Sequence, residues 1–226
     1  GRHLAKLLVE DGAKVYVADL YPAAIAAVLA ECSVVPVEIE DIHKLDVDVF
    51  APCALGGIIN QQLLEEIKAR IIVGAANNQL VDSEMGDKLQ KAGMLYAPDY
   101  LVNSGGIIDI FYERGDYDFL KVRHHIEEIG ETLHEIYKES QERGIATNKV
   151  ADRIAESRFK GEKIQLLTEP PHEYSRCAPC PKPLALSPIP SSLSELSDFT
   201  LTGFIFILLL SILTTYRTAN SVFHLE

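Results

Sequence analysis

Short apolar runs alternate with stretches of helical period along the first 160 positions of the chain. The apolar runs predict strands over 14–19, 33–38, 47–52, 71–75 and 94–97. The stretches between them predict helices over 2–10, 22–30, 61–69, 82–92, 118–143 and 148–159, with a further helix that opens at Gly105. Strands separated by helices of this length predict an α/β fold, built on a doubly wound and mostly parallel sheet that helices cover on both faces.

The order of elements at the start of the chain matches part of a dinucleotide-binding βαβ unit. In that unit the last glycine of a Gly-rich turn opens the first helix, and an acidic residue about 20 positions later binds the adenine ribose. Gly1 and Asp19 have this spacing, with a helix, the turn Asp11-Gly12 and a strand between them. An acidic residue also ends many strands that bind no ligand, so the pair alone leaves both interpretations open.

Two parts of that unit have no counterpart in the chain. A first strand and two earlier glycines would precede Gly1, so we expect a Rossmann-like sheet that lacks its first strand, in a sequence that is part of a longer protein. The first strand is central in the strand order of such sheets. Its absence would leave the strands 14–19 and 47–52 without the partner that joins them.

Composition changes near residue 160. Seven of the eleven prolines lie between positions 170 and 190, which predicts a linker and no packed core there. Residues 199–216 form a run of eighteen without a charge, just long enough for a helix that spans a bilayer, although a buried helix is the alternative. We therefore expect a partial Rossmann domain over 1–160, a Pro/Ser-rich linker over 161–198, a candidate transmembrane helix over 199–217 and a tail over 218–226.

Charge and cysteine content narrow the class of protein. The formal net charge of -12 leaves no basic surface to neutralise phosphates, so we expect no nucleic-acid partner. A hydrophobic content of 47% is enough for an ordinary globular core. Cys177 and Cys180 have C-x-x-C spacing, but prolines flank them and a second pair of ligands is missing, so we expect no metal site.

Small residues and asparagines follow the predicted strands, where parallel α/β sheets bind their ligands. Pro52-Cys53-Ala54-Leu55-Gly56-Gly57, Gly74-Ala75-Ala76-Asn77-Asn78-Gln79 and Asn103-Ser104-Gly105-Gly106 are the three loops. Small residues let a ligand approach the backbone, and asparagine offers both a donor and an acceptor. Each loop alone is equally typical of a turn, but three such loops together favour a binding site.

Four ordered motifs carry a resemblance to a known family. They are APCALGGIIN (51–60), GAANNQL (74–80), APDYLVNSGGIID (97–109) and ADRIAESR (151–158). Together they resemble the nucleotide-binding domain of the leucine, valine, phenylalanine and glutamate dehydrogenase family. The likeness covers residues 1 to about 160 and does not extend to the tail.

The resemblance implies oxidative deamination of an L-amino acid to a 2-oxo acid and ammonia, with transfer of the Cα hydride to NAD. It places Gly1 at the pyrophosphate turn and Asp19 at the adenine ribose. It also implies that Ala54 allows close backbone approach and that Asn77 and Asn103 contact the nicotinamide ribose and carboxamide. The carboxylate of Asp19 would repel a 2′-phosphate, so we expect NAD to be preferred over NADP.

The resemblance also concerns the substrate and the catalytic groups. Ile107 and Ile110 would line the substrate pocket with aliphatic surface, which favours a branched-chain, leucine-like amino acid; the alternative is that both are core residues. The family's catalytic lysine and aspartate would precede residue 1, so we expect no catalytic residue here and no activity of the chain alone. Asp99 follows a proline, which favours a turn residue over a catalytic one.

Assembly and location follow from the resemblance too. It implies a homo-oligomer for the complete enzyme and a cytoplasmic location, with the membrane as the other location if residues 199–216 insert into it. A different class of function stays open beside the dehydrogenase. In that alternative the chain is a non-enzymatic nucleotide-binding module that the hydrophobic segment tethers to a membrane.

Overall fold

A computed structural model describes residues 1–115 and 117–160 of the protein. The predicted linker, transmembrane helix and tail over 161–226 lie outside these described residues. Within them, every helix is either too short or too polar to cross a bilayer.

Helices and strands alternate in the predicted order. Within the described ranges there are eight α-helices: Arg2–Glu10 (α1), Pro22–Glu31 (α2), Gln61–Glu66 (α3), Glu84–Lys91 (α4), Asp99–Val102 (α5), Gly105–Tyr112 (α6), Phe119–Arg143 (α7) and Thr147–Lys160 (α8). Five short strands accompany them: Tyr16–Val17 (β1), Val35–Pro36 (β2), Val49–Phe50 (β3), Ile71–Ile72 (β4) and Leu95–Tyr96 (β5). A single 3₁₀ turn covers Ile42–Lys44. The α/β class is confirmed, with strands shorter than the apolar runs that predict them.

All strand pairs in residues 1–115 and 117–160 are parallel, but they form two sheets. β1 pairs with β2, and β3, β4 and β5 follow one another in the second sheet. The prediction of parallel pairing is therefore confirmed. β1 and β3 belong to different sheets, as expected if the strands 14–19 and 47–52 lack a common partner.

Helix α1 packs against both sheets. Its Leu4 belongs to an apolar cluster with Ile71 and Val73 of the three-stranded sheet. The next residue, Ala5, packs in a separate cluster with Val15 and Val17 at the two-stranded sheet. One helix thus places the two sheets side by side.

The core lies on both faces of β4. Ile71 and Ile72 are almost completely buried, at 1% and 0% exposure, and point to opposite faces because successive side chains alternate along a strand. Ile71 packs in the cluster that includes Leu133 of α7, whereas Ile72 packs with Leu89 of α4. This two-sided burial explains why β4 reads as a continuous apolar run and not as an alternating one.

Helix α7 begins and ends where its sequence predicts. The carboxylate of Asp118 accepts hydrogen bonds from the N–H groups of Leu120 and Lys121, which caps the first turn. Gly144 ends the helix in the left-handed region, at φ 64°. α3 is shorter than predicted, because Ile67 leaves the helix in an extended conformation and packs into the core.

Candidate cofactor site at the strand ends

The loops after β3 and β4 lie against each other at the carboxyl ends of their strands. The N–H of Ala76 donates to the carbonyl of Pro52, with an N to O distance of 3.0 Å. A Cβ atom at Gly74 would stand 2.1 Å from that same carbonyl oxygen, so only glycine allows this approach. A Cβ at Gly56 would similarly meet the carbonyl oxygen of Asn77 at 2.6 Å. The sequence predicts that these small residues let a ligand approach the backbone. In the structure, the two glycines allow the loops after β3 and β4 to pack against each other.

Asn77 and Asn103 form a side-chain pair at this edge of the sheet. The Nδ2 group of Asn103 donates to Asn77 Oδ1 at 2.5 Å and also lies 3.4 Å from the carbonyl of Ala75. Asn77 is exposed and Asn103 is half-buried. This hydrogen bond uses the Asn103 amide group and the Asn77 oxygen, so the Asn77 amide group and the Asn103 oxygen are the donor and the acceptor that the pair can offer a carboxamide or a ribose hydroxyl.

Asp99 lies directly behind the asparagine pair. It is the first residue of α5 and only 7% exposed. One carboxylate oxygen accepts the backbone N–H of Asn78 at 2.7 Å, and the other accepts the hydroxyl of Tyr96 at 2.7 Å. Burial, together with the neighbouring Asp99 carboxylate, raises the pKa of Tyr96 well above its usual range, so that the phenol keeps its proton and donates.

Gln79 holds the loop after β4 from inside. It is fully buried, and its amide group donates to the carbonyls of Gly74 and Ala76 at 2.8 and 2.9 Å. Neither this role nor that of Asp99 follows from the sequence. The sequence offers no signal that separates the buried Gln79 from its exposed polar neighbours Asn77 and Asn78.

Gly1 brings the start of α1 to the same loops. A Cβ atom at Gly1 would contact the Cβ of Cys53 at 3.5 Å, and exposed Ala54 follows Cys53 in the chain. The first N–H groups of a helix attract anions, because they have no partner within the helix and stand at the positive end of its dipole. The structure therefore places Gly1 beside Cys53, the residue before Ala54.

Asp19 lies at the end of β1, in the two-stranded sheet. Its carboxylate is exposed, and one oxygen accepts the N–H of Tyr21 at 2.9 Å where α2 begins. This hydrogen bond orients the side chain and leaves the second oxygen to a ligand. Among the described residues no hydrogen bond joins Asp19 to the asparagine pair, which is expected if the two bind opposite ends of an extended ligand.

Ile107 and Ile110 project from α6 away from the core. They are 70% and 56% exposed, whereas Ile108 between them is 8% exposed and packs in the core. The alternative that both are core residues is therefore wrong. They form an apolar surface on the helix that follows Asn103.

The fold and the arrangement of the loops together define an α/β protein with parallel sheets and a candidate ligand site at its strand ends. Comparison with known proteins then gives the particular family. The chain belongs to the Glutamate/Leucine/Phenylalanine/Valine dehydrogenase family, whose model matches residues 5–160. This is a family of NAD(P)-dependent amino-acid dehydrogenases.

Within the aligned regions, individual relatives are identical to the chain at between a third and two fifths of the positions. Leucine dehydrogenase of Geobacillus stearothermophilus is 38% identical over 158 residues, which are 70% of this chain and 43% of that protein. Phenylalanine dehydrogenase of Caldalkalibacillus thermarum is 36% identical over 165 residues, 71% of this chain and 45% of that protein. The crystal structure of L-tryptophan dehydrogenase from Nostoc punctiforme matches with a TM-score of 0.68 and 40% identity, covering 71% of this chain and 48% of that one. The chain thus spans about half the length of the curated relatives it matches.

Proposed function

We propose that the described residues form the NAD-binding half of an amino-acid dehydrogenase that acts on a branched-chain aliphatic, leucine-like L-amino acid. The reaction is oxidative deamination, which yields a 2-oxo acid and ammonia as the substrate hydride passes to NAD. The observation that carries this proposal is the pairing of Asn77 with Asn103 at the joined ends of the strands. The family match supports the same reaction class.

Residues in two places at the strand ends fit a dinucleotide, in addition to Asp19. The asparagine pair offers the donor and acceptor that orient a nicotinamide carboxamide and its ribose. The start of α1 at Gly1, next to Ala54, suits the pyrophosphate, since small residues admit it and helix N–H groups bind it. NAD supplies the hydride acceptor when bound, and these residues bind and orient it.

Asp19 decides between the two nicotinamide cofactors in this proposal. The N–H of Tyr21 fixes one oxygen of its carboxylate, so the other can accept a ribose hydroxyl. A 2′-phosphate at the same place would meet a negative charge at close range. The arrangement favours NAD over NADP.

Ile107 and Ile110 support an aliphatic substrate. Their exposed side chains offer no hydrogen-bonding group, so a glutamate side chain placed against them would lose solvation without gaining a partner. The relatives include leucine, phenylalanine and tryptophan dehydrogenases. Aromatic substrates are therefore the main competing outcome of a test.

A chimera tests the reaction and the substrate together. Residues 1–160 would replace the matching segment of Caldalkalibacillus thermarum phenylalanine dehydrogenase, which supplies the rest of an active enzyme. We expect the ratio of kcat/KM for leucine over phenylalanine to rise by at least about tenfold relative to the parent enzyme, with glutamate a poor substrate. An unchanged ratio, or a preference for glutamate, would contradict the substrate proposal.

A substitution within the chimera localises the effect. Ile110→Ala should lower kcat/KM for leucine, since it removes apolar surface from the substrate. Val81→Ala is the matched control, because Val81 is also exposed and apolar but lies on the loop before α4. Equal effects of the two substitutions would remove Ile110 from the substrate pocket.

Family membership favours this enzyme over the membrane-tethered binding module. The segment 199–216, on which that alternative depends, lies outside the described residues. Homo-oligomeric assembly and a cytoplasmic location stay proposals that rest on the family resemblance.

A further inference from the structure

The carboxylate of Asp99 is buried behind the asparagine pair, yet nothing in the proposed chemistry uses it. Both of its oxygens accept short hydrogen bonds, from Asn78 and from Tyr96. A bond from an N–H or O–H group to a carboxylate is about twice as strong as one between neutral groups. A buried carboxylate whose two oxygens both accept hydrogen bonds restricts the movement of the groups that donate to it.

Asp99 is hydrogen-bonded to the backbone at or next to both members of the asparagine pair. Through its side chain it holds the backbone N–H of Asn78, the residue after Asn77. Through its backbone carbonyl it accepts the N–H of Asn103 at 2.9 Å, at the end of α5. One residue therefore fixes the backbone on either side of the 2.5 Å contact between Asn77 and Asn103.

Asn78 has an unfavourable backbone conformation that its hydrogen bond to Asp99 can stabilise. Its φ angle is 52°, and it is the only residue other than glycine with a positive φ in the part of the chain that the structure describes. The left-handed region is unfavourable for L-residues, although asparagine tolerates it better than most. The hydrogen bond to Asp99 stabilises this conformation, which in turn directs Asn77 towards Asn103.

Tyr96 fixes Asp99 from the other side. It is 2% exposed at the end of β5, and its carbonyl accepts the hydroxyl of Thr147 at 2.8 Å. The tyrosine is thus anchored to the sheet and to the start of α8. Asp99 therefore receives its orientation from the rigid part of the domain.

We propose that Asp99 is a positioning residue of the cofactor site, which sets the geometry of the Asn77–Asn103 pair through the Asn78 N–H and its own carbonyl. The functional part of this inference rests on the proposed NAD-binding role of the pair. The geometric part stands on the described contacts alone. The two parts can be measured separately.

The test uses the full chain, labelled with ¹⁵N, and the variant Asp99→Asn. Asparagine is uncharged and has a single side-chain oxygen. Its NH₂ group would therefore replace one of the two carboxylate oxygens that accept from Asn78 and Tyr96. In spectra recorded without NAD, we expect the resonances of the Asn78 backbone amide and of the Asn103 side-chain amide to move in the variant relative to the wild type. We also expect the Kd for NAD to rise by about tenfold.

Asp152→Asn is the matched control. Asp152 accepts the hydroxyl of Tyr100 at 2.6 Å, so it forms a second tyrosine–aspartate pair, but this pair joins α5 to α8 at the surface. The substitution makes the same chemical change without touching Asn78. It should leave the Asn103 amide resonance and the affinity for NAD unchanged.

Tyr96→Phe extends the test with a milder change. It keeps the carboxylate and removes one of its two donors, so the Asn103 resonance should move in the same direction by a smaller amount. Unchanged Asn103 resonances in Asp99→Asn, equal shifts in Asp152→Asn, or a general loss of core resonances in both Asp99→Asn and Tyr96→Phe would overturn the proposal. If the resonances change as expected but the wild-type chain does not bind NAD, the positioning role holds and the proposed function fails.

Discussion

Burial determines how single tyrosines of this protein respond to pH. Tyr137 of α7 is 7% exposed, and its hydroxyl has no hydrogen-bond partner among the described residues. Burial alone raises the pKa of Tyr137 well above its usual value of 10.0. In the unfolded chain the phenol ionises near pH 10, whereas in the folded chain it stays neutral. Its contribution to stability is therefore present below pH 10 and is lost as pH rises further.

Tyr137→Phe should remove this alkaline sensitivity. Below pH 10 the change should be neutral or slightly stabilising, because an unsatisfied buried hydroxyl disappears. Above pH 10 the variant should lose less stability than the wild type, by about 1.4 kcal/mol per pH unit. Urea unfolding between pH 8 and 11 measures this difference. Tyr21→Phe, at a 72% exposed position, should follow the wild type, and equal slopes in all three proteins would contradict the account.

At the level of elements, helix α7 connects the site to the core. It covers one face of the three-stranded sheet, and its buried residues recur at helical spacing: Val122, Ile126, Ile129, Leu133, Ile136 and Tyr137. Such a stripe is the main source of stability for a helix in a globular domain. The loss of a buried side chain here should weaken the whole domain.

Leu133→Ala should lower the free energy of unfolding by about 2–5 kcal/mol, since Leu133 is 1% exposed in the largest apolar cluster and its truncation leaves a cavity. Leu120→Ala on the same helix is the matched control. Leu120 is 70% exposed, so its truncation should change stability by no more than about 0.5 kcal/mol. Chemical denaturation measures both values, and similar losses in the two variants would show that α7 is not packed as described.

Local signals predict most elements of this fold but only part of its site. The period of apolar residues and the end signals Asp118 and Gly144 place α7 within one residue. The short helix α5 escapes prediction, because four residues carry no periodicity. The contact of Asp99 with Asn78 spans 21 positions and arises only when β4 and β5 pair. From the sequence alone, Asp99 is consequently predicted to be a turn residue.

For the whole molecule, the notable feature is the break between the two sheets. β1 pairs only with β2 and β3 only with β4 in the described ranges, so each has one open edge. Val17 and Val49 are half-buried, while Ile71 and Ile72 of β4 are fully buried. α1 lies across both sheets. We predict that one further parallel strand would pair with the open edges of β1 and β3.

An apolar strand and Gly-rich turn added ahead of Gly1 should pair with these open edges. Three to five aliphatic side chains, at about 1.5–3 kcal/mol each, would contribute on the scale of a domain's total stability. We expect the melting temperature of the extended protein to rise by at least about 5 °C, and NAD to raise it further. An extension of the same length with serines in place of the aliphatic residues is the control. Equal melting temperatures for the two extensions would contradict the open-edge account.

The central claim is that this chain binds NAD, with Asp19 at the adenine ribose. Calorimetric titration of the full chain with NAD and NADP tests it most directly. We expect NAD to bind at least about tenfold more tightly than NADP, and Asp19→Ser to narrow this ratio, because the substitution weakens NAD binding and relieves the repulsion of the 2′-phosphate. Equal affinities of the wild-type chain for NAD and NADP, or a ratio that Asp19→Ser leaves unchanged, would contradict it.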